Sequence, residues 1–167
     1  MSEYGDRLES IRMTYAPRAE AAWTEFLQLP DPTMDDLKAL ADREVAVRVQ
    51  IEESIRALDA PDEMAELNEL LADWTAAMRD AGTALAARAD VSDGWNELLE
   101  SAEYRAFATM LTGGITVCND FQAKLDATAA RGVFADTPWI PGDLNDVADA
   151  VIGCERIPED LDAVFGR

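Results

Sequence analysis

Apolar residues recur at steps of three and four along most of this chain, which is the spacing of one face of an α-helix. The clearest row lies in the middle of the sequence and comprises Met64, Leu67, Leu71, Trp74, Met78, Ala81 and Leu85. A chain of 167 residues is long enough to bury a sizeable core from such faces. The spacing therefore predicts an all-α protein.

Three breaks divide this pattern into four long helical stretches. Thr33 follows a proline-rich turn and is expected to cap the second helix, and the breaks at 59–61 and 89–94 delimit the third. Pro17 lies inside the first stretch, where we expect a kink or a new first turn. Short connections place successive helices antiparallel, so the sequence predicts an up-and-down four-helix bundle over about residues 3–131.

The fourth helix is expected to begin after a cap at position 92 or 93 and to end at Gly132. It contains two adjacent glycines, Gly113 and Gly114, which together cost about 2 kcal/mol of helix propensity relative to alanine. We expect the helix to continue through them because Gly114 falls on the apolar row. A missing side chain there leaves room for a bulky neighbour such as Trp74 or Trp139.

Beyond Gly132 the pattern becomes irregular. Apolar residues including Trp139 and Phe165 indicate that this segment folds back over one end of the bundle. We therefore expect one helical domain over residues 1–167, with an irregular C-terminal part at 132–167. Within that part the sequence predicts a loop at 134–142 and short helices at 143–152 and 158–165.

The charge balance restricts the partners of this protein. Asp and Glu number 34 against 14 Lys and Arg, a formal net charge of −20. Such a field repels phosphate backbones and anionic membrane surfaces, so we expect no nucleic-acid binding. The acidic surface is either simply solvated or attractive to basic proteins and cations.

The sequence holds no apolar run of membrane-spanning length, and its N-terminus is charged. Two interpretations stay open. Either the protein is cytoplasmic, or the chain is a mature extracytoplasmic domain whose export signal, or upstream lipid anchor, has been removed. The oligomeric state is left open.

The chain contains no histidine, which excludes Ser-His-Asp and Cys-His nucleophilic catalysis and the histidine ligands of zinc and haem. No phosphate-binding glycine loop occurs either. We therefore predict no catalytic residue, no cofactor and no metal site. The carboxylate clusters, including Glu52-Glu53 and residues 62–69, are interpreted as solvated helix faces.

Glu44 is the exception among the carboxylates, because it falls between Leu40 and Val47 where the apolar row of the second helix should continue. Arg48 follows one turn later, in the favourable order for an i,i+4 ion pair. The two residues form either an exposed pair or a partly buried pair in a polar pocket. An enzyme that uses buried carboxylates around Glu44 is a third functional alternative.

The two cysteines, Cys118 and Cys154, match no metal-binding or redox spacing. Cys118 lies near the inward face of the fourth helix, and Cys154 lies in the segment that should fold back. A disulfide between them would tie that segment to the bundle and favour an extracytoplasmic compartment. Two buried free thiols, or one reactive or metal-bound thiol, are the alternatives.

Trp139 lies in a proline-bracketed loop and is either an exposed anchor for a partner or packed on the bundle end.

The junction ALDAPDEMAELNELLADW, residues 57–74, resembles helical domains of secreted proteins and lipoproteins of bacteria, actinobacteria above all. In these domains an L-x-x-L-x-x-P-x-E junction joins two amphipathic helices, and a cysteine-bearing helix follows. The resemblance covers about residues 15–130 and implies export to the cell envelope without a known chemistry. The chain departs from it in having Asn68 near a position that often holds histidine, and in lacking the lipid-bearing cysteine.

Together these features predict a non-enzymatic, extracytoplasmic helical-bundle protein that serves as a binding or structural module. The alternative is a cytoplasmic acidic adaptor, or chaperone-like protein, that binds a basic or amphipathic partner.

Overall fold

The computed structural model describes residues 1–154, and the regular structure in that range is entirely helical, as predicted. The expected short helix at 158–165 lies outside the described residues. A single turn of 3₁₀-helix, Asp62–Met64, precedes the third helix. The six α-helices are α1 Ser2–Leu27, α2 Met34–Arg56, α3 Ala65–Ala89, α4 Trp95–Leu99, α5 Ala102–Ala130 and α6 Ile140–Ile152.

Two of the predicted local signals act as expected, and at the third, Pro17, one of the two alternatives is excluded. Thr33 caps α2 through a capping box, in which its hydroxyl accepts from the Asp36 amide and the Asp36 carboxylate accepts from the Thr33 amide. Gly132 follows the end of α5 with φ +79°, a left-handed conformation that favours glycine. Pro17 begins no new helix, since α1 runs without a break from Ser2 to Leu27, and the kink stays a prediction.

The predicted fourth helix is divided in two. The short α4 ends at Leu99, and Ser101 then caps α5 by accepting a hydrogen bond from the Tyr104 amide at 3.1 Å. The cap that begins the long helix is therefore Ser101 and not residue 92 or 93. The helix does continue through Gly113 and Gly114, as predicted, and Gly114 is buried.

The helices form a closed ring in which α2 packs between α1 and α3, α3 packs against α5, and α6 lies against both α5 and α1. The four long helices occur in the predicted order. Contacts between α1 and α5 are few, however, whereas the first and last helices of an up-and-down bundle would pack along each other. The contacts therefore do not confirm the specific four-helix arrangement.

The helix α6 packs against α1, α5 and α3. Six of its thirteen residues are almost fully buried, and they are Ile140, Leu144, Val147, Ala148, Val151 and Ile152. These side chains join the same apolar cluster as the buried residues of the long helices. Burial of a Leu, Ile or Val side chain contributes about 1.5–3 kcal/mol, so α6 is part of the core.

Candidate functional site

Glu44 and Arg48 form a largely buried ion pair on α2. Arg48 Nε lies 3.6 Å from Glu44 Oε2, and the two side chains are only 13% and 14% exposed. The structure therefore corresponds to the partly buried alternative and not to an exposed surface pair. Glu44 Oε1 is buried and has no hydrogen-bond partner among the described residues.

The guanidinium of Arg48 also contacts α6. Its Nη1 donates a hydrogen bond to the backbone carbonyl of Val151, in the last turn of that helix. Carbonyls in a last helical turn lack partners within the helix and carry partial negative charge, so a cation is favoured there. Arg48 thereby connects Glu44 to the C-terminal end of α6.

A small pocket of about 50 Å³ lies beside this ion pair, where α1, α2, α3 and α5 meet. That volume is enough for a few water molecules or a short alkyl group. Its walls are mainly apolar, and Glu44 is the one acidic residue among the described lining residues. The lining comprises Trp23, Leu37, Leu40, Ala41, Glu44, Val45, Arg48, Met78, Gly82, Leu85, Phe107 and Leu111.

The close packing of α2 on α3 shapes one wall of the pocket. A Cβ atom built on Gly82 would lie 3.1 Å from Val45 Cγ2, tighter than ordinary van der Waals contact. Gly82 thus lets the two backbones approach at the level of Glu44. The sequence analysis missed Gly82. Its only signal is its position on the buried side of a helix in which the other residues carry side chains.

The sulfur atoms of Cys118 and Cys154 lie 2.02 Å apart, at disulfide-bonding distance, with their Cα atoms 6.0 Å apart. Cys118 belongs to α5, and Cys154 follows Gly153, which ends α6 with φ +85°. The bond attaches the chain just after α6 to the middle of α5. This pairing is the first of the three alternatives that the spacing left open.

The tryptophans occupy different environments. Trp74 is buried in the core, Trp23 lines the pocket, and the Trp95 indole donates to the Pro32 carbonyl at 3.0 Å. Trp139, at the N-terminus of α6, is 57% exposed. More than half of the Trp139 surface is therefore open to solvent.

Asn68 links three helices. The hydroxyl of Tyr4 donates to Asn68 Oδ1 at 3.2 Å, and Asn68 Nδ2 donates to the Ile55 carbonyl at 3.3 Å. Burial raises the pKa of the Tyr4 hydroxyl, which therefore stays protonated as a donor. This position is a structural connection between α1, α2 and α3.

Most of the other carboxylates are exposed, as on the solvated faces that the sequence predicts, whereas Glu9, Glu52, Glu103 and Asp149 are among the partly buried ones. Glu52 is only 13% exposed and pairs with Arg56 at 3.0 Å and with Arg79 of α3. Glu66 is exposed and accepts from Lys124 at 2.8 Å, which lowers the pKa of that carboxyl group. In residues 1–154, no group of three or more Asp, Glu, Cys or His side chains is arranged to hold a metal ion.

None of the helices in the described range is both long enough and apolar enough to cross a membrane. The chain matches no known protein family, no curated protein and no solved structure.

Proposed function

We propose that this protein is an extracytoplasmic helical binding module whose Glu44 pocket takes a short apolar group carrying a hydrogen-bond donor. The observation that carries the proposal is the buried Glu44 Oε1, which lies at an apolar pocket and has no hydrogen-bond partner in residues 1–154. A buried carboxylate oxygen without a partner is costly, and a ligand that donates to it recovers that cost.

The charge of the molecule favours a cationic donor. A net charge of −20 raises the local concentration of cations and lowers that of anions. Arg48 is already engaged with Glu44 and with the Val151 carbonyl. An alkylammonium group, free or on a basic side chain of a partner protein, therefore fits the pocket better than an alkyl carboxylate of the same length.

The test compares butylammonium, butyrate and 1-butanol by NMR, using the methyl resonances of Met78 and of the leucines that line the pocket. Butylammonium is expected to shift these resonances at lower concentration than butanol, and butyrate is expected to leave them unchanged. The Glu44→Gln variant should lose the preference for the ammonium. Equal shifts with butyrate, or shifts confined to other parts of the protein, would contradict the proposal.

Glu52→Gln is the matched control. Glu52 is as buried as Glu44 and belongs to the same helix, and it also pairs with an arginine four residues later. It does not line the pocket. Because both variants remove one negative charge, a loss of ammonium binding in Glu44→Gln alone separates a local contact from the general acidic field.

The proposed compartment is supported by the bonding distance between Cys118 and Cys154, because disulfides persist mainly in oxidising compartments. Thiol titration of protein recovered from its native compartment, under denaturing conditions, tests this part separately. We expect no free thiol. Two free thiols would overturn the extracytoplasmic assignment and leave the pocket proposal unaffected.

The exposed indole of Trp139 favours a second candidate, an acidic adaptor that binds a basic or amphipathic partner. Exposed tryptophans are enriched among residues that dominate binding energy. A cytoplasmic location, shown by two free thiols, together with loss of partner capture in Trp139→Ala would support this function instead.

A further inference from the structure

Arg48 lies farther from its carboxylate partner than the helix requires. On the same helix, Glu52 and Arg56 have the same order and spacing and approach to 3.0 Å, and Glu52 is about as buried as Glu44. Arg48 Nε and Glu44 Oε2 are 3.6 Å apart, beyond the usual N–H···O distance of about 2.7–3.2 Å. Neither the i,i+4 spacing nor the burial of the carboxylate therefore accounts for the wider separation.

The hydrogen bond of Arg48 goes to α6. Its Nη1 donates to the backbone carbonyl of Val151. A guanidinium group is planar and presents its N–H groups in a fixed fork, so the bond from Nη1 restricts the positions that Nε can take. Arg48 thus compensates the charge of Glu44 at a distance while its fork is anchored on another helix.

The acceptor on α6 is itself held in place. Val151 and Ile152 are almost fully buried. Gly153 ends α6 in a left-handed conformation, and Cys154 is bonded to Cys118 of α5. Because carbonyls in a last helical turn also carry partial negative charge, Val151 offers the guanidinium a fixed and favourable acceptor.

This arrangement keeps one carboxylate oxygen for the pocket. Glu44 lines the pocket, and its Oε1 has no hydrogen-bond partner in residues 1–154. An arginine that closes on a carboxylate donates two parallel hydrogen bonds and engages both oxygens. Closure of Arg48 on Glu44 would therefore place the guanidinium on the atom that a ligand needs.

We propose that Arg48 is a positioning residue of the pocket: its bond to the Val151 carbonyl holds it off Glu44 and leaves Oε1 to the ammonium group of a ligand. The inference rests on the proposed binding function and names the residue that keeps the carboxylate open to a ligand. It also assigns α6 a part in binding, although no α6 residue is among the described residues that line the pocket.

Arg48→Lys tests the proposal. Lysine keeps the charge but carries a single ammonium group, which cannot span both acceptors and pairs more strongly with a carboxylate than with a neutral carbonyl. The variant is expected to bind butylammonium about tenfold more weakly, measured by the Met78 methyl shift, because a charge-assisted hydrogen bond to Glu44 has to be broken first. Binding of 1-butanol should change little. Equal weakening for both ligands would show a purely structural role and overturn the proposal, as would an unchanged affinity for butylammonium.

The carbonyl carbon of Val151 provides a readout that needs no ligand. Its NMR resonance is expected to move upfield in Arg48→Lys, because the carbonyl loses its hydrogen-bond donor. An unmoved resonance would overturn the proposal. If the resonance moves but the wild type binds no butylammonium, the proposed function fails while the anchoring of Arg48 on α6 stands.

Arg56→Lys is the matched control. It makes the same substitution on the same helix, four residues after an equally buried glutamate, but outside the pocket. The Val151 resonance and the butylammonium affinity should both stay at their wild-type values. A loss of affinity equal to that in Arg48→Lys would assign the effect to any such substitution in α2, and the proposal would then be wrong.

Discussion

Arg48 shows how one residue can serve two neighbours in this protein. Its guanidinium compensates the buried charge of Glu44 and also contacts the last turn of α6. Removal of one partner of a buried pair is strongly destabilising, because the remaining charge loses its compensation. Arg48 therefore couples the pocket wall to the end of α6, and its removal is expected to disturb both. Among single residues, Gly113 and Gly132 of the fourth helical stretch also differ in the backbone conformation that each adopts.

Gly113 lies in the interior of α5, and a Cβ atom built on it meets nothing within 4 Å. Gly113→Ala is therefore expected to stabilise the protein by about 1 kcal/mol, measured by urea unfolding, since alanine loses less backbone entropy than glycine in a helix. Gly132→Ala is the control, because the left-handed φ of +79° opposes any side chain. It should destabilise by about 1–2 kcal/mol. A destabilised Gly113→Ala variant would contradict the open space beside that residue.

Among the helices, caps and packing act on different parts of each helix. Thr33 and Ser101 fix the first turns of α2 and α5, and the interiors depend on apolar faces. The break between α4 and α5 is an example of such a cap. Ser101 adopts an extended backbone conformation there and caps the longer helix, α5. The sequence placed this cap at residue 92 or 93, whereas the long helix begins after Ser101.

The capping box of α2 predicts a pH dependence. Hydrogen bonds from Thr33 lower the pKa of Asp36, so the folded state favours the charged carboxylate. A lowered folded-state pKa adds stability above the unfolded value, near 3.9, and this stability is lost as the pH falls through the folded value. The wild type should therefore exceed Asp36→Asn in urea midpoint at pH 6, and this difference should shrink below about pH 4.

Asp35→Asn is the control for the Asp36 experiment. It removes the same charge from the same first turn of α2 without removing the Thr33 hydrogen bonds. A pH-dependent difference of the same size in both variants would show that charge near the helix terminus, and not the capping box, causes the effect.

Across the whole molecule, α6 and the Cys118–Cys154 bond close the ring of helices. Without α6, the few contacts between α1 and α5 would leave apolar faces of both helices open to solvent. The bond joins residues 36 apart in the sequence and attaches the end of α6 to α5. The ring and the pocket therefore depend on a segment whose sequence looks irregular.

Reduction of this bond is expected to lower the free energy of unfolding by about 3–4 kcal/mol, because an open chain gains loop entropy when it unfolds. Urea unfolding of the oxidised and reduced full chains, with thiol titration to establish the redox state, measures the change. A Cys118→Ser, Cys154→Ser double variant should match the reduced protein. Identical midpoints in the oxidised and reduced proteins would show that the bond does not constrain the chain.

The sequence was sufficient for features that depend on neighbouring residues. The three-and-four spacing predicted the helices, and Thr33 and Gly132 acted as local start and stop signals. For Trp139 and Glu44, the sequence could not decide between an exposed and a buried side chain. Helical spacing shows on which face of a helix a residue lies, but it does not show which neighbouring element covers that face.

The sequence by itself determined the all-helical character, the strong negative charge and the absence of histidine chemistry, since these follow from composition and local spacing. Only the tertiary structure decided that α6 enters the ring between α1 and α5, that Glu44 is buried and that a pocket opens beside it. The physical reason is that the apolar face of a helix has to be buried against another helix, and several helices in this chain could serve as that partner. The choice among them depends on packing between residues distant in sequence, such as Arg48 and Val151 or Gly82 and Val45.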